Sequence, residues 1–107
     1  MSKKKIYNKH LEKGRFYIHS DRHGGHPALL YKKNDSKNLY YLIIFTSSPG
    51  RKRTKLTHSI DPARVKTSYA HNYPAIAKRR DLGKKPLTRL KINKEDKPLI
   101  RVIKNKK

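Results

Sequence analysis

The longest apolar run in the chain, Leu39-Tyr40-Tyr41-Leu42-Ile43-Ile44-Phe45-Thr46, shows neither helical periodicity nor a polar face. A run of this length and composition predicts a central strand buried on both faces. Strand alternation then sends Tyr40 and Tyr41 to opposite faces, so at most one of them can present its ring to a partner. Upstream, Gly14 precedes Arg15-Phe16-Tyr17-Ile18-His19, which has strand composition. Pro27-Ala28-Leu29-Leu30-Tyr31 predicts a second strand, with Pro27 at the start where a missing N–H is tolerated. Between them Ser20 to His26 is polar and holds two adjacent glycines, which predicts a loop. Asn34-Asp35-Ser36-Lys37-Asn38 supplies the turn into the long strand.

Beyond Thr46 the pattern weakens. Ser47-Ser48-Pro49-Gly50 is a turn, Arg51-Lys52-Arg53-Thr54-Lys55 a charge cluster, and Leu56-Thr57-His58-Ser59-Ile60 a short strand. From Val65 to Arg80, Tyr69, Tyr73 and Ile76 are spaced among polar residues and interrupted by Pro74, as in an edge strand or an irregular excursion. Asn93 then offers an N-cap, Glu95 and Asp96 follow as first-turn acids, and the last turn is basic, which predicts a helix over roughly 94–104. Pro98 is early enough to be accommodated and favours a start at Asp96. Leu99, Val102 and Ile103 form its expected packing face.

Length and composition make this one small domain: residues 1–12 as a Lys-rich arm, residues 13–107 as the folded unit. Only 34% of the residues are hydrophobic, so the seven Tyr and two Phe must supply much of the buried area. There is no Cys, hence no disulfide framework. No apolar run reaches membrane-spanning length, and the basic start lacks the apolar stretch of a signal peptide, so a cytoplasmic location without membrane contact is expected. Charge changes the picture most. Lys and Arg number 29 against 7 Asp and Glu, a net charge of +22, and a chain so basic binds polyanions by counterion release. RNA is the expected partner, with DNA as the alternative.

Several of these residues carry a family pattern. Gly14-Arg15-Phe16-Tyr17, then Gly24-Gly25-His26-Pro27-Ala28-Leu29-Leu30, then Leu42-Ile43-Ile44-Phe45-Thr46-Ser47 resembles the opening of the MazF/PemK toxin family. Lys85-Pro86-Leu87 and Leu90 to Asp96 are similar to that family's approach to its last helix, so the likeness runs from about Lys13 to Lys104. The resemblance implies a mainly β (α+β) fold, a small SH3-like barrel with a C-terminal helix. It also implies a homodimer, an acidic antitoxin partner, and cleavage of single-stranded RNA without metal or cofactor, the 2′-hydroxyl attacking to leave a cyclic phosphate. By the same resemblance Thr46 serves the scissile phosphate. The family's other phosphate residue is the Arg before Pro; here that position is His26. An imidazole can act as general base or acid but lacks the permanent, bidentate grip of a guanidinium. Arg22, Arg15 and Arg51 are the candidates for the missing cation.

The expected catalytic pair is therefore His26 and Thr46. The expected nucleic-acid contacts are Arg15, Arg22, His23, Ser47, Arg51, Lys52, Arg53 and Lys55. His19, His23 and His26 have spacing that metal ligands can show, but Asp21 is the one acid nearby and the strong positive field repels a divalent cation, so no metal site is expected. Two further functions fit the composition: a non-enzymatic RNA- or DNA-binding barrel of a mobile element, and a ribosome-associated protein with Lys-rich termini.

Overall fold

The long apolar run forms strand β3, Leu39–Thr46, with the predicted ends. Leu42 through Phe45 are buried, and alternation divides the strand between two apolar clusters. Tyr40, Leu42 and Ile44 join Leu11, Tyr17, Ala28, Leu30, Ala77 and Leu82 on one face. Ile43 and Phe45 join Phe16, Leu29, Leu56, Ile60, Ala70, Ile100 and Ile103 on the other. Cover on both faces explains the unbroken apolar pattern. Tyr40 is buried and Tyr41 half-buried, the expected split.

The computed structural model describes residues 11–21, 24–64 and 66–106. Strands β1, Phe16–Asp21, and β2, Gly24–Asn34, form an antiparallel hairpin. The loop predicted over Ser20 to His26 is corrected: Ser20 opposes Gly25 and His19 opposes His26 within the ladder. The glycines that suggested a loop meet two needs of the hairpin. Gly24 has φ +106°, and a Cβ on Gly25 would lie 2.8 Å from Ile18 Cγ2. The second strand therefore begins at Gly24 and not at Pro27.

Strands β4, Arg53–Lys55, β5, Tyr69–His71, and β6, Ala75–Ala77, complete a six-stranded antiparallel sheet ordered β1-β2-β3-β5-β4, with β6 also on β3. One edge of β3 serves two partners: Tyr40–Leu42 pair with β6, Phe45 and Thr46 with β5. The free edge of β1 is covered by the segment after a 3-10 turn at Arg79–Asp81. There the Gly83 amide donates to the Ile18 carbonyl at 2.8 Å and the Leu87 amide to that of Phe16 at 2.7 Å. The fold is mainly antiparallel β with one short C-terminal helix. Among the described strands β1 and β4 are the ends of the path, so the sheet is not closed. The strand predicted at Leu56–Ile60 does not form; its apolar side chains enter the core, while its polar centre turns to a carboxylate described below. Leu11, assigned to the basic arm, is buried, and the Glu12 amide donates to the Tyr17 hydroxyl at 2.9 Å. Residues 1–10 of that arm lie outside the described residues.

Helix α1, Lys97–Lys104, follows a 3-10 turn at Lys94–Asp96, and Asn93 caps that turn by accepting from the Glu95 amide at 2.9 Å. Its packing face differs from the expected one. Ile100 and Ile103 are buried, Leu99 half-buried, and Val102 is 57% exposed. The buried stripe runs through Asp96, Ile100 and Ile103, four and three residues apart, and Val102 lies off it. Ile100→Val is accordingly expected to cost about 1 kcal/mol, whereas the larger truncation Val102→Ala costs less than about 0.5 kcal/mol. Urea titration of both variants checks the reassigned face. No described helix is long and apolar enough to cross a membrane.

Candidate functional site

Pro27 shapes the site. Ile18, its partner on β1, turns its carbonyl outward to Gly83, so the missing Pro27 N–H breaks no bond with β1. Towards β3 the ladder starts only at Ala28↔Ile44. Extending that register would set His26 opposite Thr46, but β3 turns at Phe45 and Thr46 to pair with Ala70 and Tyr69 of β5. The two strand ends part, and an open cleft of about 340 Å³ lies between them. Gly25, His26 and Pro27 line one side, Thr46, Ser47 and Ser48 the other.

The third wall comes from the segment after β4, through Ser59, Asp61, Arg64, Lys66 and Thr67. Local hydrogen bonds fix its course. The Ser68 hydroxyl accepts from the Ile60 amide at 3.0 Å, and Asp61 Oδ1 accepts from the Ala63 amide at 3.0 Å. Asp61 Oδ2 lies 3.6 Å from both Arg64 Nε and Arg89 Nη2. The carboxylate is nearly buried while Arg64 remains largely exposed, so it tethers the guanidinium beside the cleft without removing it from solvent. At the base of this wall Asp96 is fully buried. It accepts from the Thr57 amide at 2.9 Å, the Thr57 hydroxyl at 2.6 Å and the His58 amide at 3.1 Å. Burial pushes the Asp96 carboxyl up, but the hydrogen bonds from Thr57 and His58 and the nearby His58 ring together hold it below the usual carboxylate range.

Of the sequence candidates, His26, Thr46 and Ser47 meet at the cleft. Thr46 Oγ1 accepts from the Ser48 amide at 3.3 Å, which leaves its own O–H to donate. The phosphate-contact set of the sequence reading is otherwise dispersed. Arg15 lies outside the cleft, before β1, and pairs with Glu12 at 3.0 Å. Arg51 and Lys52 are exposed in the turn before β4, and Lys55 is exposed on β4. Arg53 Nη1 donates to the carbonyls of Ser48 at 2.9 Å and Pro49 at 3.4 Å, so this side chain staples its own loop. Arg22 and His23 lie outside the described residues. His19 faces His26 across the hairpin, and its buried Nδ1 meets no hydrogen-bond partner among the described residues. No cluster of three or more His, Cys, Asp or Glu able to hold a metal ion occurs among the described residues.

Sequence reasoning missed Arg64 and Lys66, two cations among many in a basic stretch. One signal was present: Asp61 is the single acid between Asp35 and Asp81, and it begins a turn with Pro62 next and Arg64 three residues on. The cleft thus presents a guanidinium, an ammonium, several Ser and Thr hydroxyls and an imidazole around one opening, together with the Asp61 carboxylate, which faces Arg64 and Arg89. Such a set can hold a tetrahedral anion and exchange a proton with it. Compared with protein-family models, with curated proteins and with solved structures, the chain matches none.

Proposed function

We propose that this protein binds single-stranded RNA and cuts it without a metal in the cleft between His26 and Thr46. The observation that carries this reading is the meeting of His26, Thr46 and the tethered Arg64 at one open cleft in a chain of net charge +22. Thr46 and Arg64 hold the non-bridging oxygens of one phosphate, where negative charge grows in the transition state. His26 takes the proton of the adjacent 2′-hydroxyl, and the 2′-oxygen attacks phosphorus. The bond from phosphorus to the 5′-oxygen breaks, that oxygen takes up a proton from water in the open cleft, His26 later releases its own proton to solvent, and the products are a 2′,3′-cyclic phosphate and a 5′-hydroxyl. The MazF/PemK resemblance supports the same chemistry and brings with it the small barrel, the homodimer and an acidic antitoxin as further expectations. On this reading Arg64 replaces the guanidinium absent at position 26.

The test compares an RNA strand with the all-deoxy strand of the same sequence, each incubated with the protein and a chelator. Both bind, with affinity falling as salt rises at about 0.7 log unit per phosphate contact, and only the RNA is cut. Cleavage of the deoxy strand, or a need for metal, overturns the mechanism. Salt-tolerant binding overturns the electrostatic interface. RNA that binds but stays intact favours the second reading, a binding module, which the dispersal of Arg15, Arg51, Lys52 and Lys55 outside the cleft also supports.

A further inference from the structure

A second groove runs between α1 and the start of β1, about 570 Å³ in volume. Phe16, Leu90, Ile92 and Ile100 form part of its lining, and its charged lining residues are Lys91, Lys97, Arg101 and Lys104. None of the seven acids of the chain is among the lining residues. All four cations are exposed. Lys97, Arg101 and Lys104 follow one another at four and three residues along α1, which places them on one stripe of the helix, with rises of about 6 Å and 4.5 Å between them. Leu90 lines both this groove and the His26–Thr46 cleft, so the two sites adjoin.

We propose that this groove is a second binding surface for the same RNA strand, holding the nucleotides that flank the phosphate in the cleft; this rests on the function proposed above. A charged stripe beside an apolar floor matches a strand whose phosphates and base faces lie side by side. The long stems of Lys and Arg extend that floor while their heads meet the phosphates. The strand leaves the cleft over Leu90, lays its bases against Leu90 and Ile92, and sets its backbone along Lys97, Arg101 and Lys104. An acidic polypeptide would satisfy the charges as well, but continuity with the phosphate-sized cleft favours the nucleic acid.

The test uses 2′-O-methyl RNA, which cannot be cut, as a trinucleotide and as a strand of about twelve nucleotides. Wild type is compared with the exposed-site triple variant Lys97→Gln/Arg101→Gln/Lys104→Gln and with a control that removes the same charge elsewhere, Arg51→Gln/Lys52→Gln/Lys55→Gln. For the long strand the helix variant is expected to bind at least tenfold more weakly, with a salt slope flatter by about 2. The trinucleotide, which fills only the cleft, should bind the helix variant and wild type alike. Equal losses in the two triple variants would show a general field effect and overturn the groove, as would an unchanged long-strand affinity. Tighter binding of polyglutamate than of the long RNA, lost in the helix variant, would overturn RNA as the occupant. If wild type binds neither length, the proposed function itself falls, and the groove with it.

Discussion

Asp96→Ala is expected to lower the stability of the domain by about 3 kcal/mol, because it strands the two amides and the hydroxyl that now share one buried carboxylate. For a domain whose whole stability is about 5–15 kcal/mol that is a large fraction. The effect depends on pH, and the sign follows from the depressed carboxyl. With its folded pKa below the ordinary value, Asp96 contributes its full stabilisation above the unfolded pKa of about 4 and loses it as pH falls through the lower folded value. Asp96→Asn, which keeps one acceptor, should fall between wild type and Ala at neutral pH, and its deficit should shrink in acid. Urea unfolding at neutral and at strongly acid pH measures both differences. A deficit independent of pH would contradict the carboxylate account, and no deficit at all would show that the wall from Thr57 to Ser68 is held by something else.

His26→Ala is expected to lower the rate of RNA cleavage by roughly a hundredfold, the usual contribution of a positioned general base or acid. Affinity should change little, since one imidazole adds little to binding driven by the net charge of +22. His26→Arg places a guanidinium beside Pro27 and removes the proposed proton carrier, so it should bind RNA at least as well as wild type and cut it as poorly as His26→Ala. Single-turnover rates and equilibrium affinities for the three proteins separate these effects. Equal cleavage rates in wild type and His26→Ala would remove His26 from the chemistry and return the cleft to a binding role.

The legible parts of the fold were those where one physical demand dominates. The run from Leu39 to Thr46 could be placed to the residue because burial on both faces permits only apolar side chains. Asn93 was readable as a cap because its side chain meets a local need of the turn that follows. Errors arose where two demands produce the same residue. Gly24 and Gly25 serve a positive φ and a close approach inside a hairpin, yet glycine pairs also mark loops. Asp96 suits a helix start by its charge, and nothing local reveals that its partners are Thr57 and His58, 39 and 38 residues away. The helix face differs because the core takes the stripe through Ile100 and Ile103, and both that stripe and the one through Leu99, Val102 and Ile103 have helical apolar spacing. At the cleft, the resemblance to the MazF/PemK opening singles out His26 and Thr46, whereas Arg64 reaches the same opening through the course of the chain around Asp61, which composition does not encode.

The central claim is that one phosphate sits between His26 and Thr46. Titrating isotope-labelled protein with a 2′-O-methyl RNA trinucleotide, and following amide and side-chain NMR signals, tests it most directly. The account predicts that His26, Thr46, Ser47 and Arg64 show the largest changes, saturating together, with the turn at Arg51 and Lys52 little affected. Changes confined to that turn, or spread evenly over the exposed lysines, would contradict it.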